Sequence, residues 1–315
     1  MYNRIDIERF ANETNFIRDN VEKVVRLCDI LKQLNTDPIF SDNLALKGGT
    51  AINLLVTPLA RLSVDIDLDF TDNCEKSLMM RKRKSIGERL DAYLFSEGYR
   101  RNPHSKSPLS IDSWIYQYTN TVGNLDNIKI EINYSMRCHI LPTEKKPILI
   151  PRFADYSVKT FNLVELYATK IKALLERGAA RDLFDVYNMI ENNIIDVSNN
   201  PLLKKSVIFY SVVGGSNLIG EEYSMTLIEN IQFRHIKASL LPVLKKGTFF
   251  ELDKTKTAVV NYLTELMTLT EKEREFIQSF TIGYYRPELL FDDDAIIDRV
   301  KNHPMAKWKT QHTQK

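Results

Sequence analysis

The sequence has few cysteines, and none of them stands in a metal-binding or disulfide pattern. Its three cysteines, Cys28, Cys74 and Cys138, are odd in number, widely separated and without a CxxC spacing. They fit a reducing compartment better than a disulfide framework or a zinc site. The five histidines form no HxH or HxxxH pair, so histidine-based zinc chemistry has no local support either.

Long apolar runs are missing as well. The longest, Val207–Val213, is far too short to span a bilayer, and the polar N-terminal stretch does not resemble a signal peptide. We therefore expect a soluble, cytoplasmic protein without a membrane partner. A net charge of only +2 does not by itself indicate a nucleic-acid binder, so any basic surface must be local. A chain of 315 residues predicts one large domain or two ordinary ones.

The most informative stretch is LALKGGTAINLLVTPLARLSVDIDLDF, residues 44–70. A short apolar strand leads into a glycine pair and an apolar helix, and the chain then returns as an alternating strand, Val64–Phe70. One face of that strand carries three carboxylates: Asp65, Asp67 and Asp69. Neighbouring carboxylates repel one another unless a cation lies between them, so this pattern favours a divalent metal site.

A second strand, Ile128–Tyr134, shows the same alternation. Its apolar residues face the core, whereas Lys129, Glu131 and Asn133 face the other side. An antiparallel sheet with one solvated face gives this pattern by default, so an ordinary exposed residue is the simpler interpretation of Glu131. Glu131 becomes a candidate third metal ligand only if its strand lies beside Val64–Phe70.

The second informative stretch covers residues 162–192 and predicts two consecutive helices. Lys170 falls on the apolar stripe of the first helix, where an ammonium must reach outward or meet a negative partner. Gly178 ends that helix, and the next one carries Asp182 and Asp185 on a shared face. The simpler interpretation of Asp182 is a carboxylate that interacts with the dipole at a helix start.

Two motifs can be assembled from these stretches. The first consists of Lys47, Gly48, Gly49, Thr50, Ala51, Arg61, Ser63, Asp65, Ile66 and Asp67. The second consists of Lys170, Ala173, Leu174, Arg177, Arg181, Asp182, Asp185 and Tyr187. Together they resemble the AbiEii/AbiGii toxin family, nucleotidyltransferase-like proteins of type IV toxin–antitoxin and abortive-infection systems. Their superfamily shares the DNA polymerase β-like fold, marked by a glycine-rich turn and an Asp-x-Asp strand.

The resemblance implies an α+β fold. A nucleotidyltransferase core, with a mixed sheet and flanking helices, would be followed by a mainly helical part that contributes the second motif to the site. A proline-containing loop precedes the change of pattern, and we place the boundary near residue 155, giving domains 1–155 and 156–315.

The resemblance also implies the roles of individual residues. The catalytic set would be Asp65, Asp67, Lys170 and Asp182. Asp65 and Asp67 would hold Mg²⁺ or Mn²⁺, with Glu131 as a third ligand, and Asp69 would be a bystander. The NTP site would be built from the following residues: Gly48, Gly49, Thr50, Arg61, Ser63, Arg177, Arg181 and Asp185.

The activity implied is metal-dependent transfer of a nucleotide from an NTP to a cellular RNA, which would inhibit growth. A tRNA 3′ end is the first acceptor to consider, and a cognate antitoxin protein would be the partner. Two alternatives remain open. One is modification of a protein hydroxyl, such as one on the antitoxin, and the other is a catalytically inactive binding or regulatory module.

Overall fold

The computed structural model describes residues 3–215 and 223–313 and divides the chain into two compact units. The first unit comprises Met1–Arg137, Thr143–Thr160 and Val243–Thr248. The second comprises Cys138–Pro142, Phe161–Pro242 and Phe249–Lys315. Within the described ranges, no helix combines the length and the apolar character that crossing a membrane requires.

The first unit contains helices and all the strands of the described chain. Its helices are α1 (Arg4–Thr14), α2 (Arg18–Thr36), α3 (Pro38–Ser41), α4 (Gly48–Leu55) and α5 (Lys76–Ser96). Its strands are β1 (Leu44–Leu46), β2 (Asp65–Phe70), β3 (Arg100–Arg101), β4 (Ile111–Thr119), β5 (Leu125–Asn133), β6 (Glu144–Pro147) and β7 (Ser157–Thr160). They form one seven-stranded sheet in the order β3-β4-β5-β2-β1-β7-β6. The β2–β5 and β1–β7 pairs are parallel and the other pairs antiparallel, so the predicted mixed sheet is confirmed.

Helix α5 covers one face of this sheet. Residues four apart on the helix meet alternate residues of β4: Arg83 pairs with Asp112, Gly87 lies against Trp114, and Asp91 accepts a hydrogen bond from Tyr116. The spacing works because four helical residues and two strand residues advance by about the same 6 Å. The opposite face of the sheet carries partly exposed polar residues: Asp65, Asp67, Ser113, Lys129 and Glu131.

The predicted elements of residues 44–70 are confirmed, but two features of the first unit differ from expectation. The apolar periodicity from Ile5 to about Leu34 predicts helical structure, but it is interrupted at Asn15, whose left-handed φ of 59° ends α1 before α2 begins. Strands β6 and β7 were not predicted at all. Each has only four residues, and the sequence of β6 lacks an apolar face, so neither gives a readable alternation.

The second unit is helical, as predicted. Its helices are α6 (Leu163–Arg177), α7 (Ala180–Glu191), α8 (Asn200–Gly214), α9 (Thr226–Glu229), α10 (Phe233–His235), α11 (Leu252–Leu266), α12 (Glu271–Thr281), α13 (Asp294–Val300) and α14 (Pro304–Thr313). Short 3₁₀ turns cover Val197–Asn199, Leu241–Val243 and Pro287–Leu289, and a π-helical turn covers Ile236–Leu240. A further 3₁₀ turn, Pro151–Phe153, belongs to the first unit.

A buried carboxylate fixes the segment Cys138–Pro142 within the second unit. Glu165 of α6 is fully buried and accepts hydrogen bonds from the backbone N–H groups of Ile140 (2.8 Å) and Leu141 (3.0 Å), and from the Tyr210 hydroxyl of α8. Burial raises the pKa of Glu165 to about 7, although these hydrogen bonds act in the opposite direction. Sequence periodicity gave this glutamate no role.

Candidate active site

The glycine turn between β1 and α4 is pressed against the acidic strand. The Lys47 backbone N–H donates to the Asp67 carbonyl oxygen at 2.9 Å, and Gly48 follows with a left-handed φ of 68°. A Cβ atom at Gly48 would lie only 2.6 Å from Asp67 Oδ2. Glycine is therefore required here for two reasons, the backbone conformation and the close approach of the carboxylate.

The next two residues, Gly49 and Thr50, contact the segment that leads into β2. A Cβ atom at Gly49 would lie 2.5 Å from Arg61 Nη2, so the guanidinium occupies the space that a side chain would need. The Thr50 hydroxyl is buried, 2.9 Å from the Ser63 hydroxyl and within hydrogen-bonding distance of the Asp65 carbonyl oxygen. These contacts fix the geometry of the carboxylate strand. They also show that Thr50 is enclosed by protein groups.

Arg61 is a buried cation, with only 2% of its surface exposed. Its Nη1 donates to the Leu62 carbonyl oxygen at 2.9 Å, and its backbone N–H donates to the Asn53 side chain at 3.2 Å. Asn53 in turn donates to the Gly49 carbonyl oxygen at 2.8 Å. Arg61 thus connects α4 to the segment that enters β2, in agreement with a role in steadying that strand.

The carboxylates of β2 have a polar neighbour strand. In the parallel β2–β5 pair, Asp65 lies opposite Lys129 and Asp67 lies opposite Glu131. Residues paired in this way point to the same face of the sheet. The sequence condition for Glu131, a strand beside β2, is therefore met.

Glu131 has two close protein partners. Its Oε1 atom is 2.8 Å from the Ser113 hydroxyl and 2.8 Å from Lys129 Nζ. Burial alone would raise the pKa of Glu131, but the hydrogen bonds from Lys129 and Ser113 and the charges of Lys129 and Lys47 lower it below its ordinary value. The pKa of Lys129 is raised, because the attraction of Glu131, Asp65 and Asp67 outweighs its partial burial.

The donor set fits a divalent cation through two carboxylates. Asp65 and Asp67 are alternate residues of one strand, half-exposed on the same face, and carboxylate oxygens are the ligands that Mg²⁺ prefers. Within residues 3–215 and 223–313, no three histidine, cysteine, aspartate or glutamate side chains are grouped as a metal site. Glu131, the predicted third ligand, lies opposite Asp67 on the neighbouring strand, and its carboxylate contacts Lys129 and Ser113.

Asp69 differs from the other two aspartates of β2. It is 2% exposed and forms an ion pair with the ammonium group of Lys47. The pKa of Lys47 is raised, because the attraction of Asp69, Asp67 and Glu131 exceeds the effect of burial. Asp69 therefore has a structural partner of its own, which agrees with its predicted place outside the metal site.

The second motif forms a buried ion cluster inside the helical unit. Lys170 Nζ lies 2.8 Å from Asp182 Oδ1 and 3.1 Å from Asp185 Oδ2, and none of the three side chains is more than 8% exposed. The left-handed Gly178 ends α6, and α7 starts two residues later, which brings the lysine and the two aspartates together. Of the two possibilities left open for Lys170, the structure shows the negative partner, supplied by Asp182 and Asp185.

Two arginines flank this cluster. Arg177 follows Lys170 by two helical turns, yet its side chain is 63% exposed, and its Nε and Nη2 atoms both lie 2.7 Å from Asp182 Oδ2. Arg181 directs its Nε to the Ser239 carbonyl oxygen at 2.7 Å. Arg177 is therefore the member of the motif with the largest solvent-exposed surface, although it lies on the same helical line as the buried Lys170.

Three residues at the carboxylate strand were given no role by sequence reasoning: Lys47, Ser113 and Lys129. Lys129 could have been found, because it stands two residues from Glu131 on the same strand and must share its face. Ser113 could not, since its contact with Glu131 depends on the β4–β5 register.

Comparisons with known proteins were made for the sequence and for the structure. Residues 29–238, more than half of the chain, match the family described as nucleotidyl transferase AbiEii toxin of type IV toxin–antitoxin systems. No curated protein matches the sequence. Among solved structures, MenT4, a nucleotidyltransferase toxin from Mycobacterium tuberculosis H37Rv, has a similar fold. Its TM-score is 0.60 and its identity 15%, with 100% of both chains covered.

Proposed function

This chain belongs to the AbiEii family of type IV nucleotidyltransferase toxins, and we propose that it transfers a nucleotide from an NTP to a cellular RNA. The proposed acceptor is the 3′ end of a tRNA, and the consequence is arrest of growth. The observation that supports this most directly is the pair Asp65 and Asp67 on a half-exposed strand face, with the Gly48 turn pressed against Asp67.

The reaction assigns separate tasks to the strand and to the glycine turn. The acceptor hydroxyl oxygen bonds to the α-phosphorus, the bond to pyrophosphate breaks, and the hydroxyl proton is lost to a base. Asp65 and Asp67 hold Mg²⁺ or Mn²⁺, which when bound neutralises charge on the phosphates. The backbone N–H groups at Gly48 and Gly49, at the N-terminus of α4, bind phosphate oxygens. Arg61, Ser63 and Thr50 keep the turn and the strand in place.

The helical unit supplies the remaining proposed residues. Arg177 is the exposed cation of its cluster and is the residue proposed to meet a phosphate. Lys170, Asp182 and Asp185 hold one another in the interior and fix the carboxylate that orients Arg177. Lys170 and Asp182 therefore act through Arg177, and their substitution should alter nucleotide binding together with stability.

The proposed partner is a cognate antitoxin protein. Membership in a toxin family of type IV toxin–antitoxin systems supports this partner class. The same carboxylates serve equally well if the attacking hydroxyl belongs to a protein, because they act on the NTP. The acceptor must therefore be identified by experiment.

The decisive experiment is sequencing of RNA 3′ ends after brief expression of the wild type or of Asp67→Ala. The wild type should extend a defined class of RNA, with tRNA first, and Asp67→Ala should not. Asp155→Ala is the matched control, because this carboxylate is exposed and pairs with Lys32 at the surface. It should extend RNA as the wild type does.

Two results would overturn the proposal in different ways. Purified protein that transfers label from an NTP to protein, and never to RNA, would replace RNA by a protein hydroxyl as acceptor. If Asp65→Ala left growth arrest unchanged, the chain would act as a binding module and no nucleotide transfer would be involved.

A further inference from the structure

The sheet face that carries Asp65 and Asp67 also carries a lysine, Lys129, on the neighbouring strand β5. Lys129 lies opposite Asp65 in the parallel pair, and Glu131, two residues later, lies opposite Asp67. All four side chains share one face of the sheet. Lys129 therefore belongs to the same small patch as the two proposed metal ligands.

Glu131 is arranged as an anchor for this lysine. The same oxygen, Oε1, is contacted by Lys129 Nζ and by the Ser113 hydroxyl, both at 2.8 Å. Ser113 approaches from β4, whose register with β5 places it directly opposite Glu131. A carboxylate held from both sides fixes the ammonium beside it, and a metal bound at that oxygen would compete with both contacts.

The other lysine near the acids is held differently. Lys47 is paired with Asp69, which is 2% exposed. Its ammonium is committed to a buried partner that would be left uncompensated if the lysine moved. Lys129, by contrast, has a side chain that is 39% exposed, and its partner Glu131 is 28% exposed. The Lys47 side chain is itself 25% exposed, but its partner is only 3% exposed, so Lys129 is the more accessible of the two lysines and the one whose partner is not buried.

We propose that Lys129, anchored by Glu131 and Ser113, is a phosphate-contacting residue that takes the place of a second metal ion. The site then binds one divalent cation, through Asp65 and Asp67, and Glu131 is not a metal ligand. This inference rests on the proposed function, since it concerns the NTP of that reaction. Under this proposal, the triphosphate is contacted by a cationic side chain of strand β5.

Metal stoichiometry tests this directly. Mn²⁺ bound by the full-length protein is counted by electron paramagnetic resonance, with and without the α,β-methylene analogues of ATP, GTP, CTP and UTP. The wild type should bind one Mn²⁺ per chain in the presence of the preferred analogue. Glu131→Gln should also bind one, with an analogue affinity that falls because Lys129 is no longer held.

Lys129→Met separates an electrostatic role from a structural one. It should weaken analogue binding roughly tenfold, the loss of about one charge-assisted contact. It should also strengthen Mn²⁺ binding without nucleotide, because a repelling ammonium has left the acids. Lys129→Arg should restore most of the analogue affinity. Lys145→Met, at an exposed position of β6, is the matched control and should change neither value.

The outcomes separate failure of the inference from failure of the proposed function. Two Mn²⁺ per wild-type chain, with one lost in Glu131→Gln, would make Glu131 a ligand and overturn the inference alone. The same holds if Lys129→Met binds Mn²⁺ and the analogues as the wild type does. A wild type that binds neither Mn²⁺ nor any analogue would overturn both.

Discussion

The two ion clusters that contain the family motifs are built from the same residue types but differ in exposure. The strand cluster of the first unit, with Asp65, Asp67, Lys129 and Glu131, lies on a half-exposed sheet face. The helix cluster of the second unit, built around Lys170, has side chains at most 8% exposed apart from Arg177. Charged groups on an open face can exchange partners for a ligand, whereas buried ones must keep theirs. The first cluster is therefore suited to chemistry and the second to holding a structure in place.

Breaking the helix cluster should have the largest effect on stability. Lys170→Met leaves Asp182 and Asp185 buried without their ammonium partner, which should cost about 3–5 kcal/mol in urea unfolding. Lys172→Met is the matched control, because that lysine pairs with the partly exposed Glu176 and should cost less than about 1 kcal/mol. Equal losses in the two variants would contradict the distinction.

Breaking the strand cluster should instead reduce activity. Asp67→Asn should lower nucleotide transfer roughly 100- to 1,000-fold while the urea midpoint stays nearly unchanged. Asp69→Asn is its counterpart on the same strand. It should destabilise by about 1–3 kcal/mol, since Lys47 loses its buried partner, and should lower activity much less. A reversed pattern would move Asp69 into the site.

The buried Glu165 makes the second unit sensitive to pH. Its pKa is raised from 4.5 to about 7, so the folded state keeps a proton that the unfolded state has lost. Its stabilising contribution is complete below about pH 4.5 and disappears as the pH rises through 7, a change on the order of 3 kcal/mol. Urea midpoints measured from pH 5 to 8 should fall in the wild type. The slope should flatten in Glu165→Gln and persist in the exposed control Glu191→Gln.

The last comparison concerns two glycines with left-handed backbone. Gly48→Ala must adopt a left-handed backbone and displace the Asp67 carboxylate, so it should cost up to about 3 kcal/mol and impair transfer. Gly123→Ala has a φ of 89° but no atom within 4 Å of its new methyl group. It should cost about 1–2 kcal/mol and leave transfer intact. If transfer is lost in neither variant, the contact with Asp67 has no catalytic meaning.

Much of the fold was predictable because its signals are local. The β1–α4–β2 order, the helical second part and the Gly178 terminus follow from periodicity and from glycine at a helix end. The strands β6 and β7 were not predictable, because each has only four residues and β6 has no apolar face, so neither gives a readable alternation. The exposure of Arg177 also escaped prediction, because helical spacing does not reveal where the covering residues end.

The sequence by itself determined the family, the carboxylates of β2 and the lysine–aspartate motif, since these are fixed spacings along the chain. Only the tertiary structure decided what each charge contacts. The parallel β2–β5 register set Glu131 beside Asp67 and Lys129 beside Asp65, and the β4–β5 register brought Ser113 to Glu131. The tertiary structure also distinguishes Asp69 from the other aspartates of β2, because Asp69 pairs with Lys47. The physical reason is that a spacing defines which face a side chain occupies, whereas its partners come from strands whose register no single segment encodes.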